Sequence, residues 1–452
     1  MDVLSEAWIS NWPALSDRYR LEGSELARTT RLSLTVRHVL NVRAPEPARP
    51  SASQYPAPEQ GLPDGLSSEW LTGLLRHHNH ISDATVLRIV CVTDIYEHNG
   101  VIFRIAATYH GKDTDLPATF VLKLTPEELG LSGKREALFY NELACKVPFG
   151  GDLTAPRSYW AATGVRRRCE WRPDGIVSVP DSVRPDLEAS TDESSTAILM
   201  ADVGEHDFNA IYDRFPAPSP GNIFLAEAKL ILQRLALVHG AWWGRADALC
   251  AHELLAAPRR CNSELSYASL LADPRCAQVQ PCLEPFPALA QLYAKEIAHS
   301  GLDSAPWTLL HGDVCAANVL VSGTSVCFFD WAEVNVGRAA VELERFTWRS
   351  NFYDSEGTLL HGRSGRRGPR VTSSAVVCEL LRAYHSELVH HGVDVAAYPW
   401  ETLVEHYVVA SMLEAMAEVV EAAESATDLT EVASQMRPRY ALLQSLCTQL
   451  LQ

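Results

Sequence analysis

The segment from Leu309 to Trp331 constrains this chain more than any other, because it places three polar residues beside short apolar runs. Asp313 follows one apolar run and precedes Asn318 by five positions on the same loop. Asp330 comes twelve residues after Asn318, at the end of a second apolar run. Two strands that form a hairpin would bring that loop and the second aspartate to one cleft. The spacing therefore predicts that Asp313, Asn318 and Asp330 converge.

The residue types in this cluster suit phosphoryl transfer. That reaction uses an aspartate that orients and deprotonates the attacking hydroxyl, together with an asparagine and a second aspartate that hold magnesium on the nucleotide phosphates. We assign the base role to Asp313 and the metal roles to Asn318 and Asp330, which implies ATP and Mg²⁺ as cofactors. The protein-kinase signature has an arginine before the base and Phe-Gly after the metal aspartate, whereas this chain has Gly312 and Trp331. Turn chemistry at strand ends is the competing interpretation.

His-Gly-Asp with Asn five residues later, followed by Asp-Trp, resembles the aminoglycoside phosphotransferase and choline kinase group. Residues 135–143, 235–243 and 381–385 resemble its ecdysteroid-kinase-like branch in particular. The resemblance extends from about Thr85 to near the C-terminus. It implies an α+β, two-lobed, protein-kinase-like fold with an antiparallel β N-lobe and a mainly helical C-lobe. It also implies a kinase that transfers the γ-phosphoryl group of ATP to a hydroxyl of a small molecule.

Lys123 is the predicted phosphate-binding lysine. It stands in an otherwise apolar β-pattern, where a charge is costly unless it is paired or meets phosphate. Glu136 follows thirteen residues later in a helical pattern, and we predict that it pairs with Lys123 and positions it against the phosphates. Two alternatives remain open, namely that Lys123 is an edge-strand lysine in solvent and that Glu142 is its partner.

The remaining nucleotide contacts are predicted from position. The loop between the first two predicted strands, residues 92–100, would cover the nucleotide, but it is poor in glycine, so phosphate contacts must come from turn amides or polar side chains. The apolar run 196–200 leads into the position of the inter-lobe hinge in the resembled family, where backbone groups bind adenine. Besides Lys123, the residues assigned to the nucleotide are Thr93, Asn99, Gly100, Met200 and Ala201.

The chain is predicted to have three parts. Six prolines lie between residues 44 and 65, and this composition cannot bury enough apolar surface to fold by itself. A helix capped by Ser67 or Ser68 then begins the catalytic region. The predicted parts are 1–65, an N-terminal extension and Pro-rich linker; 66–200, a kinase-like N-lobe; and 201–452, a helical C-lobe with the catalytic loop and the acceptor pocket.

Composition limits the partners. The net charge of −17 opposes binding to a phosphate backbone, so nucleic acid is not a predicted partner. No apolar run reaches 18 residues and the N-terminus lacks a signal-peptide pattern, which predicts no membrane segment. The eleven cysteines include no Cys-x-x-Cys pair and are interpreted as reduced thiols, typical of a cytoplasmic protein.

The C-terminal half carries helical patterns. Residues 225–243 place an apolar stripe on one helical face. His239 in that stripe, and His311 beside the base, are predicted to be structural rather than catalytic. In the resembled family an acidic residue at the position of Glu342 helps anchor the catalytic loop. Residues 357–370, with four glycines and four arginines, predict a mobile loop, and anion binding is the alternative interpretation.

The acceptor is predicted to be a small-molecule alcohol, and the sequence leaves its identity open. Glu333, Glu342 and Glu344 lie close in sequence to Asp330 and favour an amine or another cation on the acceptor. Two other functions remain open: a catalytically silent nucleotide-binding or scaffold protein of the same fold, and a protein kinase. The absence of an Ala-Pro-Glu motif after Asp330 disfavours the protein kinase.

Overall fold

A computed structural model of the protein describes most of the chain after residue 66. The described residues are 67–97, 100–111, 116–125, 131–147, 154–165, 169–172, 175–178, 195–203, 209–210, 222–255, 306–363, 370–424 and 429–450. The predicted N-terminal extension and linker, residues 1–65, lies outside them.

The helices and strands follow one another in a mixed α+β order. The strands are β1 Thr85–Glu97, β2 Gly100–His110, β3 Thr119–Thr125, β4 Ser158–Val165, β5 Cys169–Arg172, β6 Gly175–Ser178, β7 Ser195–Ala201, β8 Asn209–Ala210, β9 Asn222–Phe224, β10 Thr308–Leu310, β11 Val319–Ser322, β12 Ser325–Phe328, β13 Asn335–Gly337, β14 Asn351–Tyr353, β15 Leu359–Arg363 and β16 Arg370–Val371. The α-helices are α1 Ser68–His77, α2 Leu131–Leu138, α3 Leu225–Trp242, α4 Ala246–Cys250, α5 Ala339–Arg349, α6 Ser374–His390, α7 Trp400–Glu424 and α8 Leu429–Leu450.

The chain divides into two compact units. Unit 1 contains the described residues of Met1–Cys145, Gly151–Pro218 and Leu320–Ala332. Unit 2 contains those of Lys146–Gly150, Ser219–Val319 and Glu333–Gln452. The boundary predicted from the sequence at residues 200 and 201 stays a prediction.

Unit 1 is built on an antiparallel sheet of five strands in the order β1-β2-β3-β7-β4. Its apolar side chains pack against α1, whose Trp70, Leu71 and Leu75 are buried in the same core as Phe103 and Phe120. Burying each such large apolar side chain stabilises the unit by about 1.5–3 kcal/mol. As predicted, α1 begins with a serine cap, because the Ser67 hydroxyl accepts a hydrogen bond from the Trp70 amide at 3.1 Å.

Unit 2 is mainly helical. Helix α3 packs against α6, and α7 packs against α8 and α5. The predicted apolar stripe of α3 is confirmed, since every member is buried: Ala228, Ile231, Leu232, Leu235, Val238 and Trp242. The short sheet β16-β15-β14-β9 and the pair β10-β13 complete the unit. The predicted α+β class, with an antiparallel sheet followed by a mainly helical C-terminal part, is confirmed.

Two predicted loops contain more strand than expected. Strands β1 and β2 pair as far as Glu97 and Gly100, so Thr93 lies within a strand opposite Arg104 and Gly100 begins a strand, while Asn99 lies outside the described residues. In the predicted mobile loop, residues 359–363 form β15, which pairs with β14. Sequence propensity underestimated the length of both hairpins, because pairing with a partner strand satisfies backbone hydrogen-bonding groups and extends a strand beyond what its own residues indicate.

Within the described part of the chain, no helix has the length and apolarity needed to cross a membrane.

Candidate active site

Unit 1 brings three predicted site residues together, namely the buried Lys123 and the carboxylates of Glu136 and Asp330. Lys123 lies on β3, and its Nζ is 2.8 Å from Glu136 Oε2 and 2.5 Å from Asp330 Oδ1. The side chains of Lys123 and Glu136 are 8% and 0% exposed, and that of Asp330 is 25% exposed. Because a buried charge is costly unless it is paired, these two carboxylates explain how an apolar strand accommodates a lysine. Glu142, the alternative partner, is exposed.

The charges in this cluster depend on one another. Burial by itself lowers the pKa of Lys123, but the carboxylates of Asp330 and Glu136 outweigh burial and raise that pKa above its ordinary value. Burial raises the pKa of Glu136, and the Lys123 ammonium opposes the rise. The lysine therefore stays positively charged at neutral pH, which is the state that a phosphate ligand requires.

The residue after Asp330 fixes the turn on which this aspartate lies. Trp331 is fully buried, donates its indole N–H to Phe328 O at 3.1 Å, and stacks on Phe139 with ring centroids 3.7 Å apart. Phe139 follows Glu136 by three residues in the same helical segment. The stack therefore connects the Asp330 turn to the element that carries Glu136. Asp330 has a φ of 61°, a left-handed conformation that aspartate tolerates better than most residues.

The residues predicted to bind the nucleotide base, Met200 and Ala201, are buried at the end of β7. The Ala201 N–H donates to a backbone carbonyl just before β4 at 2.8 Å, so a ligand would need another backbone donor from this segment. The next residue, Asp202, is buried and accepts hydrogen bonds from Arg104 and Thr119. The hydrogen bonds of Asp202 to Arg104 and Thr119 were not predicted, because these residues are far apart in the sequence.

In unit 2, Asp313 and Asn318 lie next to each other on the loop formed by residues 311–318, here named the Asp313 loop. The Asn318 amide nitrogen donates to the Asp313 backbone carbonyl at 2.9 Å and to Asp313 Oδ2 at 3.0 Å. A short 3₁₀ turn, Ala316–Asn318, makes this return possible. Both hydrogen bonds use the amide nitrogen of Asn318, and neither uses its amide oxygen. Such an oxygen is a suitable ligand for a hard cation.

Glu342 on α5 anchors the Asp313 loop. Its carboxylate accepts the backbone N–H groups of His311 at 3.1 Å and Gly312 at 2.6 Å, and it lies 2.9 Å from His239 Nε2. Tyr384 lies 2.7 Å from the other nitrogen of the His239 ring. Burial would raise the pKa of Glu342, but the hydrogen bond and charge of His239, with those of its other neighbours, lower it. The structural role predicted for His239 agrees with this buried network.

Gly312 occupies a position that only glycine fits. Its φ is 86°, and an added Cβ would lie well inside van der Waals contact with the backbone of Glu333 and 2.7 Å from Asn335 Nδ2. Both features penalise any residue that carries a Cβ. This close approach explains why the chain has His-Gly-Asp where protein kinases have His-Arg-Asp.

Arg345 is a neighbour of the proposed base that the sequence analysis missed. Its guanidinium lies 3.0 Å from Asp313 Oδ1 and also donates to the Gly312 carbonyl. Arg349, one turn later on α5, lies 3.9 Å from the same Asp313 oxygen. The only sequence signal is the i, i+4 spacing of two arginines, which is far more often a solvated helix face.

Cys315 lies in the Asp313 loop but is not suited to nucleophilic chemistry. Burial, followed by the nearby Asp313 carboxylate, raises the pKa of its thiol to about 12. The thiolate, rather than the thiol, is the nucleophile. The Cys315 thiol therefore stays protonated at neutral pH.

The sequence model of the phosphotransferase enzyme family (APH) matches residues 106–373, which is more than half of the chain. The chain belongs to this family. The matched region contains the Lys123 cluster and the complete Asp313 loop. The predicted resemblance to the aminoglycoside phosphotransferase group is thus confirmed, while the narrower ecdysteroid-kinase-like branch stays a prediction. A search of curated proteins found no match.

Several solved phosphotransferase structures are similar to this chain. Macrolide 2'-phosphotransferase MphH from Brachybacterium faecium is 16% identical over 81% of this chain and 97% of its own, with a TM-score of 0.37. A thermostable mutant of aminoglycoside phosphotransferase APH(4)-Ia, in ternary complex with AMP-PNP and hygromycin B, is 13% identical over 84% and 97%, with a TM-score of 0.33. A choline/ethanolamine kinase family protein from Mesorhizobium loti is 12% identical over 79% and 91%, with a TM-score of 0.36.

Proposed function

We propose that this member of the phosphotransferase family is an ATP-dependent kinase that phosphorylates a hydroxyl of a small molecule. The observation that carries the proposal is the buried Lys123–Glu136–Asp330 cluster. A lysine fixed by one fully buried carboxylate and facing a second, partly exposed carboxylate is the arrangement that holds phosphates and their metal ion in kinases. Membership of the family and the Asp313–Asn318 pair support the same conclusion.

The proposed reaction assigns one role to each group. Asp313 accepts the proton of the acceptor hydroxyl while the acceptor oxygen bonds to the γ-phosphorus, and the bond from that phosphorus to the β,γ-bridging oxygen breaks to release ADP. Lys123 neutralises charge on the phosphates, and Glu136 keeps Lys123 in position. Positioning and electrostatics supply most of the rate enhancement.

Magnesium is proposed to be held by Asn318 and Asp330. An amide oxygen and a carboxylate are the hard oxygen ligands that Mg²⁺ prefers, and Mg²⁺ usually binds through one or two carboxylates together with substrate phosphates. When bound, the ion would neutralise charge that develops on the phosphates.

The competing functions make different predictions for one labelling experiment. The protein is incubated with γ-labelled ATP and either a small-molecule extract or a denatured-protein extract. We expect label in small molecules, and we expect Asp313→Asn to slow its incorporation strongly. Label found only in protein would indicate a protein kinase, and nucleotide binding without any transfer would indicate a silent scaffold. The cytoplasmic location and the exclusion of nucleic acid stay predictions.

Lys123→Met is expected to weaken AMP-PNP binding at least tenfold and to destabilise the protein by about 3–5 kcal/mol, because it leaves Glu136 buried without its counter-charge. Lys123→Arg keeps the charge, so it should regain most of the stability while nucleotide affinity stays low. Calorimetry and thermal unfolding measure the two effects. Lys229→Met is the matched control, because it removes a surface ion pair with Glu379 and should cost under about 1 kcal/mol. Equal nucleotide affinity in Lys123→Met and the parent protein would disprove the assigned role.

Asp330→Ala is expected to abolish the magnesium-dependent part of nucleotide affinity, whereas Asn318→Ala should weaken it less. The reason is that a carboxylate contributes a full charge to the metal and an amide only a dipole. Nucleotide titrations with and without Mg²⁺, followed by calorimetry, separate the two variants. If both variants and the parent protein bind the nucleotide equally well, the two residues are not metal ligands.

A further inference from the structure

The acidic residues that favoured a cationic acceptor are mostly enclosed. Glu342 and Glu344 are each 2% exposed. Glu342 binds the backbone of the Asp313 loop, and Glu344 is paired with the buried Arg439. Neither carboxylate is accessible to an acceptor molecule. Of the three residues on which the charge argument rested, Glu333 alone is partly exposed.

Two arginines, Arg345 and Arg349, lie next to Asp313. Arg345 lies 3.0 Å and Arg349 lies 3.9 Å from Asp313 Oδ1, while the other carboxylate oxygen is held by Asn318. A hydroxyl that transfers its proton to Asp313 must come within hydrogen-bond distance of this carboxylate. The acceptor is therefore placed within a few ångströms of both guanidinium groups.

The two arginines are engaged to different degrees. Arg345 is 21% exposed and also bonds the Gly312 carbonyl, so its guanidinium is committed to the loop. Arg349 is 46% exposed. Among the described residues, the Arg349 guanidinium makes one ion pair, which is the long contact of 3.9 Å to Asp313. Its planar fork of donors is suited to binding a carboxylate or phosphate through two parallel hydrogen bonds.

We infer that Arg349 is a specificity residue and that the acceptor is a hydroxyl compound carrying an acidic group, a carboxylate or a phosphate, a few bonds from the reacting oxygen. This inference rests on the proposed kinase function and specifies its substrate class. An amine beside the hydroxyl would meet the two guanidinium groups and be repelled. An anion in the same place would be bound by Arg349 while Arg345 keeps Asp313 in position.

A charge-fractionated extract tests the inference. A small-molecule extract is separated by ion exchange into acidic, neutral and basic fractions, and each fraction is incubated with γ-labelled ATP, Mg²⁺ and the full-length protein. We expect label in the acidic fraction. Glucuronate, glucose and glucosamine provide a matched series on one sugar skeleton, in which binding to the AMP-PNP-loaded protein should be strongest for glucuronate and weakest for glucosamine.

The variants show whether Arg349 is responsible. Arg349→Gln should raise KM for the labelled acidic acceptor by about tenfold or more, the size of one charge-assisted hydrogen bond, with kcat little changed. Arg349→Lys should restore part of the loss. Arg437→Gln, at another exposed helical arginine of unit 2, is the matched control and should have no effect.

Each outcome has a distinct meaning. Label confined to the basic or neutral fraction, or glucosamine binding at least as tightly as glucuronate, would overturn the inference and leave the kinase function intact. An acidic acceptor whose KM is unchanged by Arg349→Gln would remove the role of Arg349. Absence of label from every fraction would remove the proposed function, and this inference with it.

Discussion

Replacing Asp313 with asparagine is expected to lower the rate of phosphoryl transfer by about 10²–10⁴-fold, the usual contribution of a positioned general base. Asparagine is close in shape to aspartate but accepts no proton at neutral pH, so the acceptor hydroxyl loses both its base and its orienting carboxylate. AMP-PNP affinity should stay within about twofold, because the proposed phosphate-binding groups Lys123 and Asp330 are unchanged.

The measurement must separate chemistry from folding, because Asp313 also pairs with Arg345 and accepts a hydrogen bond from Asn318. Thermal unfolding shows whether the variant is folded, and single-turnover labelling gives the rate of the chemical step. Asp83→Asn, at an exposed position, is the control for the substitution itself. Turnover within a few-fold of the parent protein would show that Asp313 is not the base.

Gly312→Ala is expected to destabilise the protein by about 3 kcal/mol or more and to abolish activity, because the backbone of the Asp313 loop must shift to admit a Cβ. The added atom would meet the backbone of Glu333 and, at 2.7 Å, the side chain of Asn335. A destabilisation of this size corresponds to a fall of roughly 6–12 °C in the midpoint of thermal unfolding for a unit of this length.

Gly357→Ala is the matched control for Gly312→Ala. The two glycines have φ values of 83° and 86°, but nothing lies within 4 Å of a Cβ at Gly357. Gly357→Ala should therefore show the cost of the left-handed backbone alone, about 1–2 kcal/mol, with activity retained. The difference between the two variants measures the close approach at Gly312. Equal effects would mean that the Asp313 loop rearranges freely around an alanine.

The regular architecture follows from patterns that are local in the sequence. The apolar stripe of α3 and the serine cap of α1 were predicted correctly, because helical periodicity and capping depend on residues within a few positions of one another. The strands that flank residues 92–100 and the strand that carries Lys123 were predicted for the same reason. The extents of the β1-β2 and β14-β15 hairpins were not, since strand length depends on a partner strand.

The sequence also predicted which residues form the candidate site, but it predicted fewer of the contacts that these residues make. Lys123 was identified because a charge within an apolar strand requires a partner, and the structure places Glu136 and Asp330 beside it. Asp313 and Asn318 were identified by their spacing, and the structure shows the hydrogen bonds between them. Motif spacing encodes such pairs because the loop that connects them is short.

What only the tertiary structure decided is which charges face Asp313. Composition and sequence proximity gave equal weight to Glu333, Glu342 and Glu344, but burial encloses two of these carboxylates. The arginines beside Asp313 lie on α5, more than thirty positions away along the chain. The sequence by itself identified the residues of the proposed site, because residue types and motif spacings can be recognised locally. The electrostatic surroundings of the base were decided by the packing of α5, because a Coulomb interaction depends on distance in space and on burial rather than on separation along the chain.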